Sequence, residues 1–239
     1  MKKTFKVIQI FIVLLFTLLI SIQSQGEISK DEFIGVSDAF LKSYSELSII
    51  INSKLAGEDF WWNLNEKYGS FSKYIDAQGK TNYNIFFFGG LARMPEMTVE
   101  GAALVLCHEL GHGIGGAPTK LNSESSVEGQ ADYFATRICL PKVLDKMPKT
   151  TLVPADPLNL CKTEICKRIF VGIISEMAVI QFNHPDQASR FDKVDPTIVE
   201  TINTNPTFYP SNQCRLDTLV AGALEKPRPR CWWTPTIKD

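Results

Sequence analysis

At 239 residues, with 44% hydrophobic and 21% charged residues and a formal charge of −1, the chain has enough apolar material for one domain with a sizeable core and not clearly enough for two. Nothing in the near-neutral balance asks for a nucleic-acid partner. All six cysteines lie beyond residue 100, and no C-x-x-C pair is present, which excludes a zinc-cluster scaffold.

Lys2 and Lys3 precede an apolar run from Val7 to Ile20, broken only by Gln9 and Thr17, and Ser21 to Gly26 turn small and polar. This order predicts a secretory signal over residues 1–26, with Ser24-Gln25-Gly26 as the cleavage site. The run is shorter than the ~20 residues of a spanning helix, so an uncleaved anchor is the less favoured alternative. Signal removal would take away Lys2, Lys3 and Lys6 and no acid, leaving residues 27–239 as a single domain at −4. An exported protein, periplasmic or secreted, is expected, with no membrane span after the signal. An even cysteine count behind an export signal predicts disulfides. Cys214 with Cys231 is the expected bridge; Cys107 with Cys139 is a second candidate that would tie two ligand-bearing helices together.

Along the rest of the chain, apolar residues recur at three- and four-residue spacing from Ser29 to Leu55, predicting an amphipathic helix. Phe60-Trp61-Trp62 is expected in the core. Ser70 to Gln78 carries no pattern. Tyr83 to Phe88, Y-N-I-F-F-F between glycines, predicts a strand, either interior or offering a free edge to an extended peptide.

Thr98 to Gly116 reads T-V-E-G-A-A-L-V-L-C-H-E-L-G-H-G-I-G-G. Thr98 is the expected N-cap, Glu100 suits the first turn, and Gly113, Gly115 and Gly116 end the helix. His108 and His112, four apart, share one helical face and can aim two imidazoles at one metal ion. Glu109 borders that ion without being a natural ligand and is placed to act as a general base.

After a polar connection from Pro118 to Ser126, a helix is predicted from Val127 to Leu140, stopping at Pro141. Glu128 and Asp132, again four apart, share its face. Glu128 can supply the third protein ligand of a catalytic zinc, and Asp132 can hold the far nitrogen of a ligating histidine. The alternative for Glu128 is a capping box with Ser125. The longer H-E-x-x-H-x-x-G-x-x-H pattern matches at Gly115 and then meets Pro118, which excludes that class. Further helices are predicted over Leu158 to Phe182 and Ser211 to Leu224, around a polar, turn-rich Asp192 to Asn205. A proline-rich tail follows over residues 226–239.

H-E-L-G-H followed by E-x-x-A-D resembles the gluzincin zinc metallopeptidases, and most closely the family of HtpX-type heat-shock proteases and CAAX prenyl proteases with its soluble periplasmic relatives. The resemblance covers about Tyr83 to Leu224. It implies an α+β zincin-like domain, mostly helical with a small sheet and here disulfide-containing. It further implies Zn2+ on His108, His112 and Glu128, and Glu109 as the catalytic base. A later H-P-x-x-x-x-R motif of the family has two candidates. His184-Pro185 with Arg190 keeps every residue; Tyr209-Pro210 with Arg215 has Tyr for His, sits at a better chain position and leads into a helix, and is preferred. Tyr209 would then donate to the oxyanion and Arg215 would orient carboxylates around the metal. The membrane-embedded members have several spanning helices that this chain lacks, so lipidated substrates are not implied.

The expected activity is zinc-dependent hydrolysis of peptide bonds in protein or peptide substrates, as an endopeptidase. Two alternatives stand beside it: a catalytically silent zinc protein with an assembly or chaperone-like role in the cell envelope, and a peptide-binding module using the Tyr83 to Phe88 edge. The tail from Pro227, anchored by Trp232 and Trp233, is a candidate cover for the cleft.

Overall fold

The computed structural model describes residues 27–51, 60–149 and 157–235, so the segment 1–26 for which a signal is expected and the last four residues lie outside the described residues. Helix α1, Lys30–Ser43, starts from a complete capping box: the Ser29 hydroxyl accepts from Glu32 N–H, and Glu32 accepts from Ser29 N–H at 2.7 Å. It ends well before the predicted Leu55. Ser48–Ile51, S-I-I-I, forms strand β1, because three successive β-branched residues favour an extended chain over another helical turn. Leu47 and Ile51 continue the helical spacing only by coincidence.

A short helix α2, Phe60–Asn63, buries Trp61 and leaves Phe60 exposed, as two neighbouring aromatics require. Strands β2, Gly69–Ile75, and β3, Thr81–Phe87, complete a three-stranded sheet in the order β1-β3-β2. β1 runs parallel to β3 with Ser48 opposite Asn82, and β2 runs antiparallel with Gly69 opposite Phe87. β3 is therefore the central strand. Of the two alternatives for Tyr83 to Phe88 the interior one holds; the outer strands are β1 and β2, and β2 lies in the segment where the sequence showed no pattern.

Helix α3, Gly89–Ala92, leads into α4, Val99–Ile114, whose N-cap Thr98 accepts from Gly101 N–H at 2.9 Å. Every residue of α4 from Glu100 to His112 is buried. It is the central rod of the fold, contacting α1, β2 and β3 on one side and the later helices on the other. Helix α5, Glu128–Phe134, passes through a π-helical turn, Ala135–Cys139, into α6, Leu140–Leu144. The predicted stop at Pro141 is thus a register change. Proline is tolerated at the start of the α6 segment, where its missing N–H is not needed.

Helix α7, Glu164–Asn183, is capped by Thr163, later than the predicted Leu158, and α8, Asn212–Ala223, is capped by Ser211. α4 and α7 meet where Gly101 faces Ser175: a Cβ on Gly101 would lie 2.1 Å from Ser175 Oγ. That hydroxyl accepts from Thr98 N–H and donates to Glu96 O, joining the start of α4 to the middle of α7.

All six cysteines are paired, as Cys107–Cys139, Cys161–Cys166 and Cys214–Cys231. The first ties α4 to the π turn. Bridges of this number persist in oxidising compartments. Among the described residues no helix is long and apolar enough to cross a membrane. The described tail does not cover a cleft: Trp232 and Trp233 are buried with Val127, Cys214 and Cys231 in a small second core behind α5. Trp232 lies on Gly129, where a Cβ would be 2.3 Å from its ring, and donates from Nε1 to Thr218 Oγ1 at 2.9 Å. The architecture is α+β, predominantly helical, with one small sheet and three disulfides.

Candidate metal centre

α4 and α5 approach each other closely at Gly111, where a Cβ would stand 3.0 Å from Ala131 Cα. That proximity faces the His108/His112 stripe of α4 with the Glu128/Asp132 stripe of α5. His108 Nε2 lies 3.3 Å from Glu128 Oε2 and His112 Nε2 lies 3.5 Å from Glu128 Oε1. One donor atom from each of the three residues falls within 4.8 Å of the others, and all three residues are buried. This group can hold a metal ion.

Ligand tautomers are set from behind. His112 Nδ1 is 2.8 Å from Ser126 O, a group that can only accept, so Nδ1 carries the proton and Nε2 presents its lone pair. His108 Nδ1 is 2.7 Å from Asp132 Oδ1. Asp132 is fully buried, and Arg215 donates to both of its oxygens, from Nε at 2.8 Å and Nη2 at 2.7 Å. Burial alone would raise the Asp132 pKa, but the Arg215 charge and hydrogen bonds and His108 hold it below the ordinary aspartate value.

Glu128 is the first residue of α5, N-capped by Val127 without a side-chain bond, so the capping box with Ser125 does not form. Its carboxylate points at the histidines and accepts from Lys120 Nζ at 2.8 Å. Burial would raise its pKa, yet the hydrogen bond from His108 and the charges around it hold it well below the usual glutamate range. Burial would likewise lower His108, and Asp132 and Glu128 hold it well above the ordinary histidine value. His112, without a carboxylate behind it, is lowered by burial to about 4.

No family model, curated protein or solved structure matches the chain. What the site can do therefore rests on its own chemistry. Two imidazole nitrogens and one carboxylate suit a borderline divalent ion such as Zn2+ and leave a fourth position open.

The centre floors a cleft of about 560 Å³. One wall is the start of β2, Gly69 to Phe71; another is the α7 face bearing Glu176, Val179, Ile180 and Asn183. Glu109 lines the floor beside the trio. Burial, with the charges of Glu128 and Glu176 adding and that of His108 opposing, raises its pKa to about 7. Gly69 is pressed against it, since a Cβ there would fall 2.6 Å from Glu109 Oε1.

Tyr209 and His184 both reach the cleft, with ring centroids 6.1 Å apart, so the two tyrosine and histidine candidates share one rim. Tyr209 is half exposed, and its pKa is raised by the Glu128 charge and by burial. Their arginines separate: Arg215 is buried on Asp132, whereas Arg190 pairs with Asp192 at the surface, each side chain 60% exposed.

Two residues at the site have no place in the sequence reading. Lys120 sits in a polar connection with nothing to distinguish it from its neighbours. Glu176 did carry a signal, as the one charged residue in the apolar run from Ile169 to Phe182.

Proposed function

We propose that the chain is an exported zinc metallopeptidase of the gluzincin kind, related in design to the HtpX and CAAX prenyl protease family but with no membrane-spanning helix among its described residues. One observation carries this reading: Glu109, a buried carboxylate with no ion pair, stands beside the His108, His112 and Glu128 trio on the floor of an open cleft. A purely structural metal site has no use for such a base.

When bound, Zn2+ would supply Lewis acidity to a water and to the scissile carbonyl. His108, His112 and Glu128 would hold it, with Asp132 and Ser126 O fixing the imidazoles. Glu109 accepts a proton from the attacking water and returns it to the leaving amine, a task suited to a carboxyl whose pKa lies near 7. Tyr209, or His184 beside it on the rim, donates to the oxyanion that develops at the carbonyl. An extended substrate can lie along β2, the edge strand that reaches Glu109 at Gly69.

The deciding experiment measures zinc content and casein hydrolysis on wild type, Glu109→Gln and Glu128→Ala. About one zinc per chain in the first two, loss of zinc in the third, and hydrolysis in wild type alone are expected. Zinc without hydrolysis in wild type would favour the silent envelope factor on the same scaffold; no zinc at all would overturn the assignment.

A further inference from the structure

The buried acids of the described residues are Glu100, Glu109, Glu128, Asp132 and Glu176. Glu100 is paired with Arg168, Glu128 with Lys120 and Asp132 with Arg215. Glu109 has a role as the base. Glu176 is left: it is 6% exposed, its Oε2 is fully buried without a hydrogen-bond partner in the protein, and it forms no ion pair.

Glu176 lines the cleft from α7 together with Val179, Ile180 and Asn183, the three-, four- and seven-residue spacings of one helical face. Leu91 and Val105 line the same cleft. It lies outside the His108, His112 and Glu128 donor group, so it is not a further ligand of that ion. It is also not the hydrogen-bonded counter-ion of Arg215, whose Nε and Nη2 are both committed to Asp132. A carboxylate without a hydrogen-bond partner on one of its oxygens thus lines the cleft of the base among Leu91, Val105, Val179 and Ile180.

We propose that Glu176 forms a subsite for a positively charged group of the substrate, so that the cleft selects peptides carrying a cation next to the bond cut. The proposal rests on the peptidase reading for its substrate class, while its geometry does not. A carboxylate kept from water without a donor is costly, and a cation that enters restores both the charge pairing and the hydrogen bonds. A neutral analogue of the same shape leaves it unpaired and is rejected. The cation can be the α-ammonium of a peptide amino terminus or the side chain of lysine or arginine, because both present the same chemistry.

The test uses zinc-loaded protein and alanine-based peptides of one length. One set has blocked ends and a single lysine scanned along the sequence, with norleucine and glutamate counterparts. A second set lacks lysine and has a free or an acetylated amino terminus. Binding is measured calorimetrically on Glu109→Gln, and on Glu109→Gln combined with Glu176→Gln or Glu176→Asp; hydrolysis is measured on the corresponding proteins with Glu109 intact. Lysine at one position, or the free amino terminus, is expected to tighten binding and raise kcat/KM by about tenfold or more over the neutral counterpart. Which set shows the gain identifies the source of the cation. Glu176→Gln abolishes the preference with zinc content unchanged, and Glu176→Asp keeps part of it, which separates lost charge from a damaged fold. Equal affinity for cationic and neutral peptides, a preference that survives Glu176→Gln, or no measurable binding of any cationic peptide overturns the subsite. A Glu176-dependent preference in binding with no hydrolysis by wild type leaves the subsite standing and overturns the peptidase reading instead.

Discussion

Arg215 donates to both oxygens of Asp132, one of which faces His108 Nδ1 at 2.7 Å, so a cation on α8 fixes a ligand on α4 through a carboxylate on α5. Asp132→Asn or Arg215→Ala removes that support while leaving the three ligands in place. Each is expected to weaken zinc affinity about 10- to 100-fold, measured by competition with a chromophoric chelator. Arg215→Ala also strands a buried carboxylate and is expected to cost about 3–5 kcal/mol in urea unfolding. Unchanged zinc affinity in both variants would show that the chain of contacts does not orient His108.

Lys120 lies 2.8 Å from Glu128 Oε1, where its positive charge opposes a divalent ion on the same carboxylate. Lys120→Met is expected to tighten zinc binding by roughly threefold to tenfold, in the range of a partly screened charge pair. The same chelator competition reads it. Weaker binding would mean that Lys120 holds Glu128 in its ligating position.

Gly69 has no room for a side chain because Glu109 Oε1 occupies the space. Gly69→Ala therefore displaces the base and not the ligands. Zinc content is expected to stay at the wild-type level while kcat/KM falls about 100-fold, the scale of a misplaced reacting group. Loss of zinc would show that the strand supports the ligand trio as well.

Tyr44 closes α1 with its hydroxyl buried and unpartnered, and Lys142 Nζ sits 4.1 Å from its ring centroid. Burial first, and then the Glu46 charge, pushes its pKa up to about 12 from 10.0. A folded-state pKa above the unfolded value gives stability that is intact below about pH 10 and lost as the pH rises to about 12, since the unfolded chain releases its proton first. Tyr44→Phe removes this loss. Melting temperatures of the two proteins should diverge in favour of the variant across that alkaline window and not below it; parallel curves would refute the burial argument.

The candidate ligand histidines were legible because the geometry that brings them together is local: four residues on a helix fix the direction of both imidazoles. Glu128 and Asp132 were legible for the same reason, the strand at Tyr83 from its β-branched and aromatic run, and Cys214–Cys231 from proximity in sequence, whereas Cys107–Cys139, 32 residues apart, was no more than a candidate. β2 was not, because Gly69–Ile75 has no fully buried face and so no alternation to detect. β1 hid inside a helical period that Leu47 and Ile51 extend by accident. The pairing of Arg215 with Asp132 spans 83 residues of sequence, and only the seating of α8 against α5 brings them together. Glu176 stood out in an apolar run, but its meaning depends on which side of α7 faces the cleft. The tail misled because prolines read as an extended cover, whereas its tryptophans needed burial and found it behind α5.

The ring of Trp232 against Gly129, beside Glu128, gives the centre a history as well as a shape. A ribosome releases His108 and His112 long before it releases the residue that backs their partner carboxylate. A nascent or truncated chain thus displays the ligands with nothing behind Glu128, and Cys214 has no Cys231 to join. The wall of the centre therefore waits for Trp232 to be made and folded back onto Gly129, and for Cys214 to be oxidised with Cys231.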